Sequence, residues 1–189
     1  MTRAFGDDDR CRRHERFARI DTAFKTGDLA ALVAEAGPDD RFPDGFADLA
    51  IGPCLPYAIY HGPVALIAAL LDAGADPNFD DGAGFPPLIA AMSKTRDAPG
   101  SPARADAHQI LQLLLARGAD PEQRGINDHT ALHWAAAIGD VAAIEILLAG
   151  GANPDARTRI DDVETPEELA ERLGHIDAAA RLTTTRRSD

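Results

Sequence analysis

Apolar positions along the chain fall into a repeated rhythm. Val64, Ile67, Leu70 and Leu71 stand three or one residues apart, and Val141, Ile144, Leu147 and Leu148 repeat that spacing. Steps of three and four put such residues on one face of a helix, so both stretches are predicted to be amphipathic helices. Each run of leucines is followed by a glycine, at Gly74, Gly118 and Gly151. Glycine readily adopts the left-handed conformation that ends a helix. The prolines at Pro77, Pro121 and Pro154 stop the helix from resuming. Ahead of each long helix a shorter one is predicted, starting near Pro53, Pro87 or Thr130.

The rhythm is a repeat. Gly74 and Gly118 are 44 residues apart, and Gly118 and Gly151 are 33 apart. A second signature keeps step with the first: Leu55, Leu88 and Leu132 each precede an alanine, at Ala58, Ala91 and Ala135, by three residues. One unit therefore carries an 11-residue insertion between its two helices, falling within residues 94–105. Its turn-forming composition predicts a projecting loop with tryptic sites at Lys94, Arg96 and Arg104. One helix pair cannot bury both of its faces, whereas stacked copies can, and the end copies must differ. The expected organisation is a single domain over residues 1–189. It comprises a degenerate first unit at about 10–44, units at about 45–78, 79–122 and 123–155, and a closing unit at about 156–182. Thr165 and Glu168 have capping-box spacing, with Pro166 at the first helical position.

Thr130-Ala131-Leu132-His133-Trp134-Ala135-Ala136 and Gly139, with the paired leucines and Gly-Ala-Asp of the other units, closely resemble the ankyrin-repeat family. The resemblance spans roughly residues 18–182 and implies an all-α ankyrin-repeat solenoid of about five helix-turn-helix units with degenerate end caps. There are departures from the pattern. His108 stands where other units have Val64 and Val141, and Thr95 replaces an interhelical glycine. The loop from Pro38 to Pro53 is longer than usual and carries Phe42, Phe46 and Leu49.

Composition narrows the function. The net charge of −12 argues against nucleic acid, which needs clustered Lys and Arg, and against anionic membrane surfaces. The first residues lack a signal-peptide pattern, and the apolar run Val64–Leu71 is too short to span a bilayer. Cys11 and Cys54 form no paired framework. A reduced, cytoplasmic setting and a monomer are expected, and the richness in Ala, Arg and Asp suggests a bacterial chain.

No catalytic, cofactor-binding or metal-ligating set emerges. Gly82-Ala83-Gly84 follows no strand pattern and reads as a turn tip, and Asp7–Asp9 and Asp161-Asp162 read as solvated caps. His133 fills the family's structural histidine position, and Cys54 and Trp134 read as packing residues. Arg10, Arg12, Arg13, Arg16 and Arg19 form a basic start to the first helix, read as a solvated face.

The resemblance implies binding of another protein through turn tips and the concave face of the first helices. Its candidate contact residues are Tyr60, His61, Asp80, Asp81, Phe85, Ser93, Lys94, Ile126, Asn127, His129 and Ile138. Tyr60 and Phe85 are the expected anchors. Acidic residues recur at the predicted turns, from Asp39, Asp40 and Asp44 through Asp80, Asp81, Glu122, Asp128 and Asp155 to Asp161 and Asp162. They predict either a partner with a basic patch or charge that maintains solubility. An enzyme or accessory subunit with a site invisible in sequence, and a self-associating scaffold, remain alternatives.

Overall fold

A computed structural model describes residues 4–36, 42–48, 51–80, 82, 84–95, 103–160 and 162–186. The chain divides into two compact units, residues 1–76 and 77–189. It is an all-α fold, with a short two-stranded ladder in the first unit.

The first unit holds α1 (Ala4–Thr26), α2 (Leu29–Ala36), β1 (Phe46–Asp48), β2 (Gly52–Pro53), α3 (Cys54–His61) and α4 (Val64–Asp72). At 23 residues, α1 is far longer than the eight of α3. Among its described side chains, those that enter the core lie at the C-terminal end, Ile20, Ala23 and Phe24, and α1 packs on α2, whose Leu32 is buried. The segment from residue 11 to 19 is largely exposed, as its charge requires. The long loop between α2 and α3 forms a feature absent from the helical expectation: β1 and β2 pair antiparallel with Phe46 opposite Pro53. Cys54 follows at once and is buried, its thiol 3.4 Å from the Gly45 carbonyl oxygen, consistent with a packing role.

The second unit contains α5 (Pro87–Met92), α6 (Ala107–Ala116), a single 3₁₀ turn (Ile126–Asp128), α7 (Ala131–Ile138), α8 (Val141–Ala149), α9 (Pro166–Leu173) and α10 (Ile176–Arg186). Each short helix packs on the longer one after it, α7 packs on α5 and α9, and α8 packs on α6 and α10. Short helices thus form one layer and long helices the other. Leu88, Leu111, Leu114, Leu132, Ile144 and Leu147 lie between them with 0–2% exposure. Gly118 and Gly151 take φ of +89° and +91°, and their N–H groups close onto the carbonyls of Leu115 and Leu148. A side chain there would be strained, which is why glycine marks each helix end.

The insertion between α5 and α6 corrects one expectation. Lys94 is 4% exposed, and its carbonyl accepts from the Arg104 N–H at 2.8 Å. The base of the insertion is thereby pinned, and Arg104 is paired with Asp106 at 2.8 Å. Lys94 is therefore neither an open tryptic site nor a surface contact. Residues 96–102, which include the Arg96 site, lie outside the described residues.

Candidate functional site

Repeat tips are held by a ladder of side chains that reach to the backbone of the following repeat. In the second unit, the Asp120 N–H donates to Asn78 Oδ1 at 2.6 Å, and the Asn153 N–H donates to Glu122 Oε1 at 2.9 Å. Asn78 and Glu122 stand at the same register position, four residues after a helix-ending glycine. Asp44 plays the same part within the first unit, accepting from the Asp76 N–H at 2.7 Å. Accepting a backbone N–H satisfies a donor that would otherwise need water. The signal for this ladder was the recurrence of an acceptor side chain at a fixed offset from Gly74 and Gly118.

A second rung lies one turn further in. The Asp128 carboxylate accepts from the Arg159 backbone N–H at 2.6 Å and from the guanidinium groups of Arg159 and Arg124. Hydrogen bonding to Arg159 holds its pKa down at about 2. Three of the acids that read as a docking edge, Asp44, Glu122 and Asp128, thus have structural partners within the chain. Asp39, Asp40, Asp81 and Asp161 lie outside the described residues.

Beneath the fourth tip, Thr130 caps α7. The His133 N–H donates to Thr130 Oγ1 at 3.4 Å, and the Thr130 N–H donates to His133 Nδ1 at 3.3 Å. The other ring nitrogen, Nε2, lies 3.1 Å from the Glu164 carbonyl oxygen in the next repeat. A carbonyl only accepts, so Nε2 carries the proton and Nδ1 is the acceptor. Burial is the main cause that pushes the His133 pKa down to about 4, which keeps the ring neutral and this tautomer in place. The same box recurs at α9, where Thr165 accepts from the Glu168 N–H at 3.2 Å. Arg157 braces Glu168 and also donates to the Val163 carbonyl, each at 2.9 Å.

Between these braced tips lies a cleft of about 580 Å³. It is lined by Asn127 and His129 of the fourth tip and by Thr158, Ile160, Asp162, Glu164, Leu169 and Arg172 of the closing unit. His129 stacks on His133 with ring centroids 5.4 Å apart and meets Trp134 edge-on at 6.2 Å. Arg172 grips Glu164 through two hydrogen bonds of 2.6 and 2.7 Å, while its contact with the exposed Asp162 is 3.8 Å. In its lining Ile160 is 49% exposed, and Ile126 and Val163, adjacent in sequence to the lining residues Asn127, Asp162 and Glu164, are 38% and 45% exposed. Large apolar side chains exposed together mark an interaction surface.

The structure brings Ile126, Asn127 and His129 to this one place. Ile138 is half-buried near the far end of α7, and Phe85 is half-buried just before α5. Ser93 is also half-buried, with its hydroxyl on the Ala90 carbonyl at 2.7 Å. Asp80 is exposed and accepts from the Gly82 N–H at 2.8 Å. Tyr60 and His61 belong to α3 of the first unit, where the His61 ring lies 4.4 Å from Tyr57. Sequence reading missed Ile160, Val163, Glu164, Leu169 and Arg172. They sit in the closing unit, one of the two in which the repeat pattern is weak. Asp161-Asp162 drew notice there only as a cap.

His108 has a structural use. Its Nε2 lies 2.9 Å from Asp140, the residue that caps α8 by accepting from the Ala143 N–H. The polar residue at a usually apolar position therefore faces a neighbouring cap.

Comparison with known proteins agrees with this architecture. Residues 103–187 match the model for ankyrin repeats in three copies. The chain is 33% identical to Neurogenic locus notch homolog protein 1 of Homo sapiens over a 135-residue alignment, covering 53% of this chain and 5% of that protein. The proteins of the same description from Cricetulus griseus and Mus musculus are each 33% identical over 131 residues, covering 51% of this chain and 5% of theirs. The chain thus spans about a twentieth of the length of these curated relatives. With the repeat period, the paired helix layers, the Thr130–His133 box and the glycine-terminated long helices all in register, residues 103–187 of the chain are ankyrin repeats.

Proposed function

We propose that this chain recognises a partner protein through the turn tips and the exposed face of the short helices, and that it does no chemistry on that partner. Ankyrin repeats are generally protein–protein interaction modules and are typically non-catalytic. The observation that carries the reading is the contrast within the tips of the second unit. Their backbones are tied down by Asn78, Glu122, Asp128 and Arg157, yet Ile126, Ile160 and Val163 face solvent. A surface already ordered before binding loses little entropy on association.

The partner in this reading presents a basic patch. Net charge is −12, and Asp80, Asp120, Asp155 and Asp162 lie at or beside the tips. Asn127 and His129 line the cleft, Phe85, Ser93 and Ile138 are further proposed contacts within the second unit, and Tyr60 and His61 are proposed contacts of the first unit. The chain acts as a cytoplasmic monomer. Among the described residues no helix is long and apolar enough to cross a membrane.

The test is affinity capture with the full chain from its native cell, followed by association rates with the purified partner at several salt concentrations. Exposed charges are screened within about 10 Å at 0.1 M salt, so the rate is expected to fall between low and moderate salt. Asp80→Lys with Asp81→Lys is expected to remove most of that dependence. A salt-independent rate sinks the basic partner. A chain that sediments as a concentration-dependent oligomer and captures only itself points to the scaffold alternative.

A further inference from the structure

Val163 has a backbone that a β-branched residue rarely takes. Its φ is +53°, in the left-handed region, where valine is an outlier. The conformation is enforced from both sides: the Val163 carbonyl accepts from Arg157 at 2.9 Å, and its N–H points to the Ile160 carbonyl. Glycine would hold this turn without strain. Valine instead keeps a side chain 45% exposed between the cleft-lining residues Asp162 and Glu164 in sequence, and the cleft-lining Ile160 is itself 49% exposed. Glycine would make the same two backbone contacts without the strain, so keeping valine points to use of its side chain.

Charge at the cleft selects what would meet it. Glu164 and Arg172 satisfy one another at 2.6 Å. The Asp162 side chain is 69% exposed and reaches Arg172 only at 3.8 Å. Two carboxylates against one guanidinium leave the cleft acidic, with the exposed Ile160 in its lining.

We propose that the cleft between the fourth and fifth repeat tips receives an extended partner segment in which an aliphatic or aromatic side chain neighbours a Lys or Arg. The apolar side chain packs on Ile126, Ile160 and Val163, and the basic one reaches Asp162. This assignment rests on the recognition reading above and locates its docking point.

The experiment selects a random twelve-residue peptide library on the immobilised full-length chain. Enriched peptides are then synthesised and titrated against the parent, Val163→Gly, Ile160→Ser and Asp162→Lys. Enriched sequences are expected to pair an apolar with a basic residue. Each variant is expected to weaken binding about tenfold or more, the effect of a central hot-spot residue in an interface. Val163→Gly separates docking from folding, because it is expected to melt at the same temperature as the parent or higher while still binding worse. Three results overturn the proposal: no enrichment, enriched peptides without basic residues, or unchanged affinity for the three variants. Peptides that ignore these variants but lose affinity for Phe85→Ala or Ile138→Ala overturn the cleft while leaving the recognition reading in place.

Discussion

The third and fourth repeats share a template and solve one problem differently. Each must tie its short helix to the tip of the next repeat. In the fourth, His133 is a polar clasp, bonded to Thr130 on one side and to the Glu164 carbonyl on the other. In the third, 44 residues earlier, Ile89 stands at that register position and is fully buried. Its Cδ1 lies where a side chain on Gly125 would fall, 2.7 Å from the site of that missing Cβ. Contact with the next tip is therefore made by apolar packing against a glycine. All six residues of α5 are buried, whereas α7 leaves three of its eight partly exposed. The comparison shows that the repeat specifies a junction and not a particular chemistry.

If the two repeats are equivalent in their cores, truncation should not distinguish them. Leu114 of the third and Leu147 of the fourth are each 0% exposed. Leu114→Ala and Leu147→Ala are each expected to cost about 2–5 kcal/mol, the range for buried leucine truncation. Thermal or urea unfolding measures this. A loss at only one position would break the equivalence of the two long helices.

The junctions themselves should differ. The folded chain holds His133 neutral with a pKa of about 4, while the unfolded chain takes up a proton near the ordinary value of 6.5. The associated stability is whole above pH 6.5 and is lost as the pH falls toward 4, on the order of 3 kcal/mol in all. Ile89 has no titrating group, so His133→Ile would give both repeats an apolar junction. That variant is expected to flatten urea midpoints between pH 6.5 and 4. At pH 7 it should cost about 1–3 kcal/mol, because the Thr130 N–H and the Glu164 carbonyl lose a partner. An unaltered pH profile would mean that His133 is not the clasp.

Helix starts differ in the same way. Thr130 caps α7 with its side chain, whereas α5 begins at Pro86 with no side-chain cap. Thr130→Ala is expected to cost about 1 kcal/mol, as cap removal usually does. Pro86→Ala removes no capping acceptor and should cost less. Denaturant midpoints of the two variants, taken side by side, make the comparison.

What was legible in the sequence follows the same line between template and local solution. The helix pairs, their glycine stops and the Thr130–His133 role were readable because each recurs or matches a known box. The cleft was not, since Ile160 and Val163 lie in the closing unit, at positions that no other repeat fills with an exposed apolar side chain in a recurring pattern. Asp44, Glu122 and Asp128 looked like a docking edge because a one-dimensional pattern shows charge but not its partner. Their acceptors serve N–H groups 31 or 32 residues away, a distance that only the stacked fold makes short. Lys94 misled for a related reason: surrounded by turn formers, it looks exposed, but its carbonyl accepts from the Arg104 N–H and its side chain is buried.

The smallest effect concerns the tip that follows the third repeat's glycine junction. Asp128 accepts from Arg159 through both backbone and side chain. The Arg159 side chain is 72% exposed, so its ion pair is heavily solvated and contributes little. Arg159→Ala keeps the backbone N–H and is expected to cost less than about 1 kcal/mol. Asp128→Ala loses the backbone bond as well and leaves an alanine at φ +58°, so it should cost more. Asp128→Asn keeps a backbone acceptor and suits the left-handed conformation, so it should fall near Arg159→Ala. Asp128 has its pKa held at about 2, so its contribution is present above the ordinary carboxylate range and lost only as pH falls from about 4 toward 2. That window lies below most of the His133 window, so an acid titration of the parent and Asp128→Asn separates the two. If Arg159→Ala matched Asp128→Ala, the guanidinium pair and not the backbone rung would hold this tip.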